Sequence, residues 1–436
     1  FTAFKNQTPL VVTAGQQARS ILPYEPFLFA ERATEFPRPY VKYSVEPARA
    51  EDVPAAIARA YHIAMQAPQG PVFVSIPVDD WDRDCDMPER ATVSQSVRGD
   101  ATMLATVANA LAIAQRPIFV VGAGIALDDA WTGVIALAER HNAGVWVAPM
   151  NARVSFPEDH RLFQGFLSAF REKIVADLAG ADLVLVLGAP AFTYHAEGFG
   201  PHVPERASLF QLTNDPNQAS YTPGGTAIVT NLKAGIADLL SGAAPIARTV
   251  PDARTPLPPL NGTPLTDAYL LQRIAALRPR NSVIVEEAAS SRGAMHDHLP
   301  ITAQDGFYTC ASGGLGHGLP AAIGVAMARP DARVIALLGD GSTMYAVQGL
   351  WTAAQMALPM AFIIVNNRRY EALHVFGRHF GLQSLEGTDL SGIDFVSLAT
   401  GQGVDALRVE SADTLDAALT AAFASPTPML IEVLVA

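Results

Sequence analysis

Two runs of five apolar residues, Val334-Ile335-Ala336-Leu337-Leu338 and Ala361-Phe362-Ile363-Ile364-Val365, each give way abruptly to a polar turn. Gly339-Asp340-Gly341 follows the first and Asn366-Asn367 the second. Runs of this length and composition read as strands, and a strand with no polar side has to be covered on both faces. The stretch between them, Ala346 to Met356, has a helical pattern, so the two strands lie parallel and end at the same edge of one sheet. That edge, at the carboxyl ends of the strands, is where α/β sheets bind ligands.

The same alternation recurs along the chain. A first block, residues 1–97, holds an amphipathic segment at Phe1 to Asn6, a strand at Leu10 to Thr13, a helix at Pro54 to Met65 and a strand at Val72 to Ile76. A second block, 98–255, alternates helices at Met103 to Ala114, Trp131 to Arg140 and Leu232 to Leu240 with strands at Ile118 to Val121, Val145 to Val147 and Leu183 to Leu187. Ala243 to Pro264 contains six prolines and reads as a linker by composition. The third block, 256–436, carries the two opening runs, a helix at Asp267 to Leu277, a strand at Val283 to Glu286, a helix at Leu319 to Ala328 and a last strand near Leu430 to Val433. The expected fold is therefore α/β, with three doubly wound parallel-sheet domains.

With 42 acidic against 30 basic side chains, the net charge of −12 repels phosphate backbones, so no nucleic-acid partner is expected. Thr309 to Ala328 is free of formal charge, but five glycines and prolines inside its first twelve residues break it, and no membrane span is expected. Cys85 and Cys310 are the only cysteines, which excludes a disulfide scaffold and fits a reducing, cytoplasmic setting.

Asp340 and Asn367 offer a carboxylate and an amide oxygen at two strand ends separated by one helix. With the backbone carbonyl of Arg369 they make a set of hard oxygen ligands that leaves room for phosphate oxygens and water, as a magnesium ion clamping a diphosphate requires. The glycines beside Asp340 let a diphosphate approach the backbone, and the helix beyond offers free N–H groups.

A GDG turn followed at this distance by NN resembles the signature of the thiamine diphosphate (thiamine pyrophosphate) enzymes. Within that family the chain is most similar to the branch that decarboxylates aromatic 2-oxo acids such as benzoylformate. Thr13-Ala14-Gly15-Gln16-Gln17, Ala67-Pro68-Gln69-Gly70-Pro71, Asp79-Asp80-Trp81-Asp82, Val145-Trp146-Val147-Ala148-Pro149, Gly313-Gly314-Leu315-Gly316 and Leu350-Trp351-Thr352-Ala353-Ala354-Gln355 carry the likeness over nearly the whole chain. It implies thiamine diphosphate and Mg²⁺ (or Ca²⁺) as cofactors, with Asp340, Asn367 and the Arg369 carbonyl on the metal. Gly341, Ser342, Ser290 and Tyr370 are implied at the phosphates, Gly313 among the residues that bind the cofactor, and Leu315 as the wedge that bends it. It also implies His195 as the residue that relays protons, and Thr309, Leu373 and Phe376 as lining of the acyl pocket. The substrate implied is a small 2-oxo acid, and the assembly a homodimer at minimum and a homotetramer as the expected form.

Three features depart from the pattern. Ala289 replaces a hydroxyl residue, Thr309 replaces an aromatic one, and Arg368-Arg369-Tyr370-Glu371 stands where the family has small residues. Members of the family begin about 80 residues before Phe1, so the first domain is expected to be truncated and to lack the glutamate that activates the cofactor; no Glu of the chain is nominated in its place. This keeps two alternatives open, a carboligase or acetolactate-synthase-like enzyme and a catalytically inactive homologue. Gly122-Ala123-Gly124-Ile125-Ala126-Leu127 resembles a dinucleotide fingerprint without its third glycine or its downstream acid, so a cofactor-free middle domain is expected. His317, His296 and His298 have no role in the pattern; the last two are expected to be solvated, on a loop.

Overall fold

A computed structural model describes residues 1–89 and 91–436. One compact unit holds Phe1–Arg98 with residues 214–217 and 229–231, and a second holds the remainder of the chain. In the first unit, β1 (Leu10–Gln16), β2 (Ser44–Val45) and β3 (Pro71–Pro77) form a parallel sheet in the order β1-β3-β2, with helix Val53–Met65 closing a small core of Ala60, Ala64, Val72 and Val74. The segment between β1 and β2 turns large apolar side chains outward, among them Tyr24, Leu28, Phe36 and Phe27, the last 87% exposed.

The second unit contains two six-stranded sheets. One runs β6-β5-β4-β7-β8-β9, built from β4 (Pro117–Val121), β5 (Gly144–Val147), β6 (Phe163–Phe166), β7 (Leu183–Leu187), β8 (Ser208–Thr213) and β9 (Thr226–Val229). Its central strands β4 and β7 are buried along their whole length, as apolar runs covered on both faces must be. The glycines of the dinucleotide-like motif sit against a second backbone turn. A Cβ on Gly122 would lie 2.5 Å from the Cβ of Ala189, and one on Gly124 would lie 2.6 Å from the Cα of Gly188. Two backbone turns pack against each other there, and only glycine permits the approach.

The other sheet runs β11-β10-β12-β13-β15-β14, from β10 (Ser282–Glu287), β11 (Phe307–Thr309), β12 (Arg333–Gly339), β13 (Met360–Asn366), β14 (Asp405–Val409) and β15 (Met429–Leu434), with every adjacent pair parallel. Strand order reverses between β10 and β12, which opens a crevice at their carboxyl ends. Helices pack on both faces around two separate apolar cores.

Polar ties join the two sheets. Glu158 accepts from the Ile301 N–H at 2.9 Å and meets His296 Nδ1 at 3.0 Å, and Arg153 pairs with Asp305. This corrects the expectation for His296: it is buried on a helix, Arg292–His298, stacked on Phe166 at 3.8 Å. The alternation His-Asp-His looked like a loop because the buried carboxylate that pairs with the ring lies 138 positions away. The proline-rich stretch has no regular element, yet Arg248 ties it down by donating to the Leu111, Ala112 and His141 carbonyls.

Candidate active site

The crevice between β10 and β12 collects the candidate cofactor residues. Asp340 is the first residue of a short helix, Asp340–Met344, that begins where β12 stops. It is 5% exposed, and its carboxylate accepts from the Gly341 N–H at 2.7 Å and the Arg369 N–H at 3.2 Å. No Lys, Arg or His forms an ion pair with it among the described residues. Burial pushes its pKa up, opposed by N–H groups of Gly341, Arg368 and Arg369. A buried carboxylate without a cation is an energetic liability unless a positive ligand joins it.

Asn367 supplies the second oxygen. Its Oδ1 accepts from the same Arg369 N–H at 3.2 Å, so the two side-chain oxygens lie on one nitrogen and face one point at the ends of β12 and β13. Among the described residues no three His, Cys, Asp or Glu side chains gather as a metal site. The donor set is instead one carboxylate, one amide and a backbone carbonyl, all hard oxygens that suit Mg²⁺ or Ca²⁺ and leave positions for phosphate. The residues therefore fit a divalent ion carrying a diphosphate.

Around this point the phosphate candidates divide. Gly341 and Ser342 are buried in the turn, and Ser342 Oγ donates to the Glu287 carbonyl. Tyr370 lies over Gly341 so closely that a Cβ there would be 2.2 Å from its ring. Ser290 is exposed three residues beyond the end of β10. Gly313, at φ +68°, opens the loop that carries Leu315, which is 37% exposed between two glycines.

The proton-relay candidate and one pocket residue come together across the two sheets. His195 donates its N–H to the Ala169 carbonyl at 2.9 Å, and its ring lies 4.5 Å from that of Phe376 on helix Glu371–His379. Leu373, one turn earlier on that helix, is exposed. Thr309 is placed differently from the pocket wall expected of it. It is 2% exposed, its hydroxyl donating to Glu286 at 2.7 Å and accepting from Arg292 at 2.9 Å, because a small polar side chain at the end of β11 can satisfy the buried Glu286. The extra charges after Asn367 also partly cancel: Arg369 and Arg378 both pair with Glu371.

One residue that sequence reasoning passed over is Glu287. It ends β10, is buried, and accepts from the N–H groups of Gly316 at 2.6 Å and Gly318 at 2.5 Å. The available signal was Ser282-Val283-Ile284-Val285-Glu286-Glu287, an apolar strand closing on two acids that face opposite sides of the sheet.

Comparison with known proteins gives matches across both sheets of the second unit. The central domain of thiamine pyrophosphate enzymes matches residues 104–239, and their C-terminal TPP binding domain matches residues 287–433. A benzoylformate decarboxylase of Pseudomonas aeruginosa is 38% identical over 438 residues, spanning 99% of this chain and 83% of that protein. The crystal structure of benzoylformate decarboxylase from Polynucleobacter necessarius superposes with a TM-score of 0.96 at 37% identity, covering 100% of this chain and 83% of the other. The acetolactate synthase isozyme 1 large subunit of Escherichia coli is 26% identical over 445 residues, 98% of this chain and 77% of its own length.

Proposed function

The chain belongs to the thiamine pyrophosphate enzymes, and from that premise we propose that it is a non-oxidative decarboxylase of 2-oxo acids, releasing aldehyde and CO2, with benzoylformate as the expected type of substrate. The observation that carries this reading is the single Arg369 N–H shared by the oxygens of Asp340 and Asn367. It sets two hard donors at the ends of adjacent parallel strands, where an ion and a diphosphate would be held.

Asp340, Asn367 and the Arg369 carbonyl would hold the divalent ion, taken to be magnesium, and Gly341, Ser342, Ser290 and Tyr370 would bind the phosphates. Gly313 and Leu315 would support the rings. When bound, thiamine diphosphate supplies a nucleophilic carbon and accepts the electron pair released with CO2. His195 holds or delivers a proton beside the substrate, as an imidazole is suited to do near neutral pH. Phe376 and Leu373 would offer the acyl group an apolar wall. Division of the chain at 97/98 and 255/256 belongs to the same reading.

A homodimer, or a tetramer of two, is the assembly we infer. Support comes from the outward Tyr24, Phe27, Leu28 and Phe36 of the first unit, four large apolar side chains exposed within one segment between β1 and β2. A cytoplasmic setting rests on the low cysteine count, Cys85 and Cys310 being the only two in the sequence. No helix among the described residues is long and apolar enough to cross a membrane.

The test is a product assay with benzoylformate and with pyruvate, in the presence of thiamine diphosphate and Mg²⁺. Aldehyde and CO2 in equal amounts support a decarboxylase. Condensation products alone would assign the chain to the carboligases, and no turnover to the inactive homologues.

A further inference from the structure

We propose that Glu287 is a positioning residue whose buried carboxylate fixes the Gly313–Gly318 loop and so sets where Leu315 stands against the cofactor rings. The proposal rests on the cofactor site described above. Glu287 is 3% exposed at the last position of β10, paired in register with Leu338, two positions before Asp340. Its two carboxylate oxygens are used separately, one by the Gly316 N–H and the other by the Gly318 N–H. Placing an anion there costs solvation that an apolar strand end would not lose, so these N–H groups have to compensate for it. No ion pair reaches Glu287 among the described residues.

The surrounding geometry leaves the loop little freedom. A Cβ on Gly318 would lie 2.5 Å from the Cβ of Glu287, and one on Gly316, at φ +95°, would lie 2.9 Å from the Cβ of Tyr345. The loop therefore runs in contact with Glu287 on one side and Tyr345 on the other. Glu287 also reaches the metal turn, because its carbonyl accepts from Ser342 Oγ. One residue thus ties the loop carrying Leu315 to the turn carrying Asp340, and fixes the spacing between ring support and diphosphate clamp. Leu315 projects outward from this loop between two glycines, with no side chain of its immediate neighbours to restrain it.

The experiment compares the full chain with its Glu287→Gln and Leu315→Ala variants. Amide hydrogen exchange without ligand reads the loop directly: Gly316 and Gly318 should exchange about tenfold faster in E287Q, the loss expected for one charge-assisted hydrogen bond. Calorimetric titration with thiamine diphosphate and, separately, inorganic pyrophosphate, each with Mg²⁺, reads the consequence. E287Q and L315A should each weaken thiamine diphosphate by about tenfold and pyrophosphate by less than about twofold, and the double variant should lose little more than either alone. Equal weakening of both ligands would make Glu287 a residue of general stability and overturn the proposal, as would unchanged thiamine diphosphate binding in E287Q. If E287Q does not fold, Glu287→Asp, which keeps the charge and withdraws the oxygens by one methylene, is put through the same pair of titrations. Failure of the native chain to bind thiamine diphosphate at all would instead refute the cofactor site, and the exchange rates would still decide whether Glu287 holds the loop.

Discussion

Gly341→Ala probes the proposed cofactor turn with a single methyl group. Its Cβ would sit 2.2 Å from Tyr370 Cε1, 2.6 Å from Cδ1 and 3.1 Å from Cζ. The ring has to retreat by about an ångström or more to reach ordinary contact, and overpacking of this kind costs ~1–3 kcal/mol. Tyr370 is half-buried, so its ring can swing outward toward solvent. Fold stability should then fall near the lower end of that range, lowering Tm by less than about 4 °C. Diphosphate affinity should suffer more, because the ring leaves the turn it covers: about 5- to 150-fold weaker binding if the whole cost is charged to the bound state. Calorimetric titration of thiamine diphosphate with Mg²⁺ measures it. In a Tyr370→Ala background the same methyl should cost less than about twofold, since nothing remains for it to strike. Equal affinity for G341A and the native chain, or an equal penalty with and without the Tyr370 ring, would refute the packing argument.

Asp340→Ala removes the one carboxylate of the proposed clamp and should reduce magnesium-dependent retention of thiamine diphosphate by more than about 100-fold; retention through gel filtration checks it, and unchanged retention rejects the ion site. His195→Ala should slow decarboxylation by about 10²-fold or more while cofactor affinity changes by less than about twofold, and an unaltered rate removes the relay role. His141 should make the fold sensitive to acid. Its pKa is lowered to about 4 by burial and by the nearby Arg248 and Arg140, from 6.5 when exposed. Between those values the unfolded chain takes up a proton that the folded chain refuses, so stability falls as pH drops from 6.5 toward 4 and rises again with pH. Urea denaturation across that window measures the slope, which His141→Leu should flatten; an identical slope in both proteins would place the effect elsewhere.

Strands whose side chains are apolar on both faces were legible, and they locate the site. β4, β7, β12 and β13 stand out because central parallel strands cannot hide polar residues, and the turns that follow β12 and β13 carry Asp340 and Asn367. Edge and interrupted strands were not legible. β14, Asp-Ala-Leu-Arg-Val, is largely exposed, β6 contains Gly165 at φ +128°, and β8 hides Gln211, whose amide is held by the Ala189 carbonyl. Partners distant in sequence were equally invisible. Thr309 could be recognised as small and polar, but its bond to Glu286 depends on the register of β11 with β10. His296 needed Glu158, and Glu287 needed the loop 29 positions later, before either could be seen as more than a surface charge.

The interlocked turns at Gly122–Gly124 and Gly188–Ala189 bear on how the middle sheet could change over evolutionary time. A side chain at either glycine would strike backbone of the turn after β7, so both positions are held to glycine by packing, whatever the sheet binds. A descendant of this chain that lost either glycine would have to remodel the turn after β7 in the same step, so the two corners can only change together.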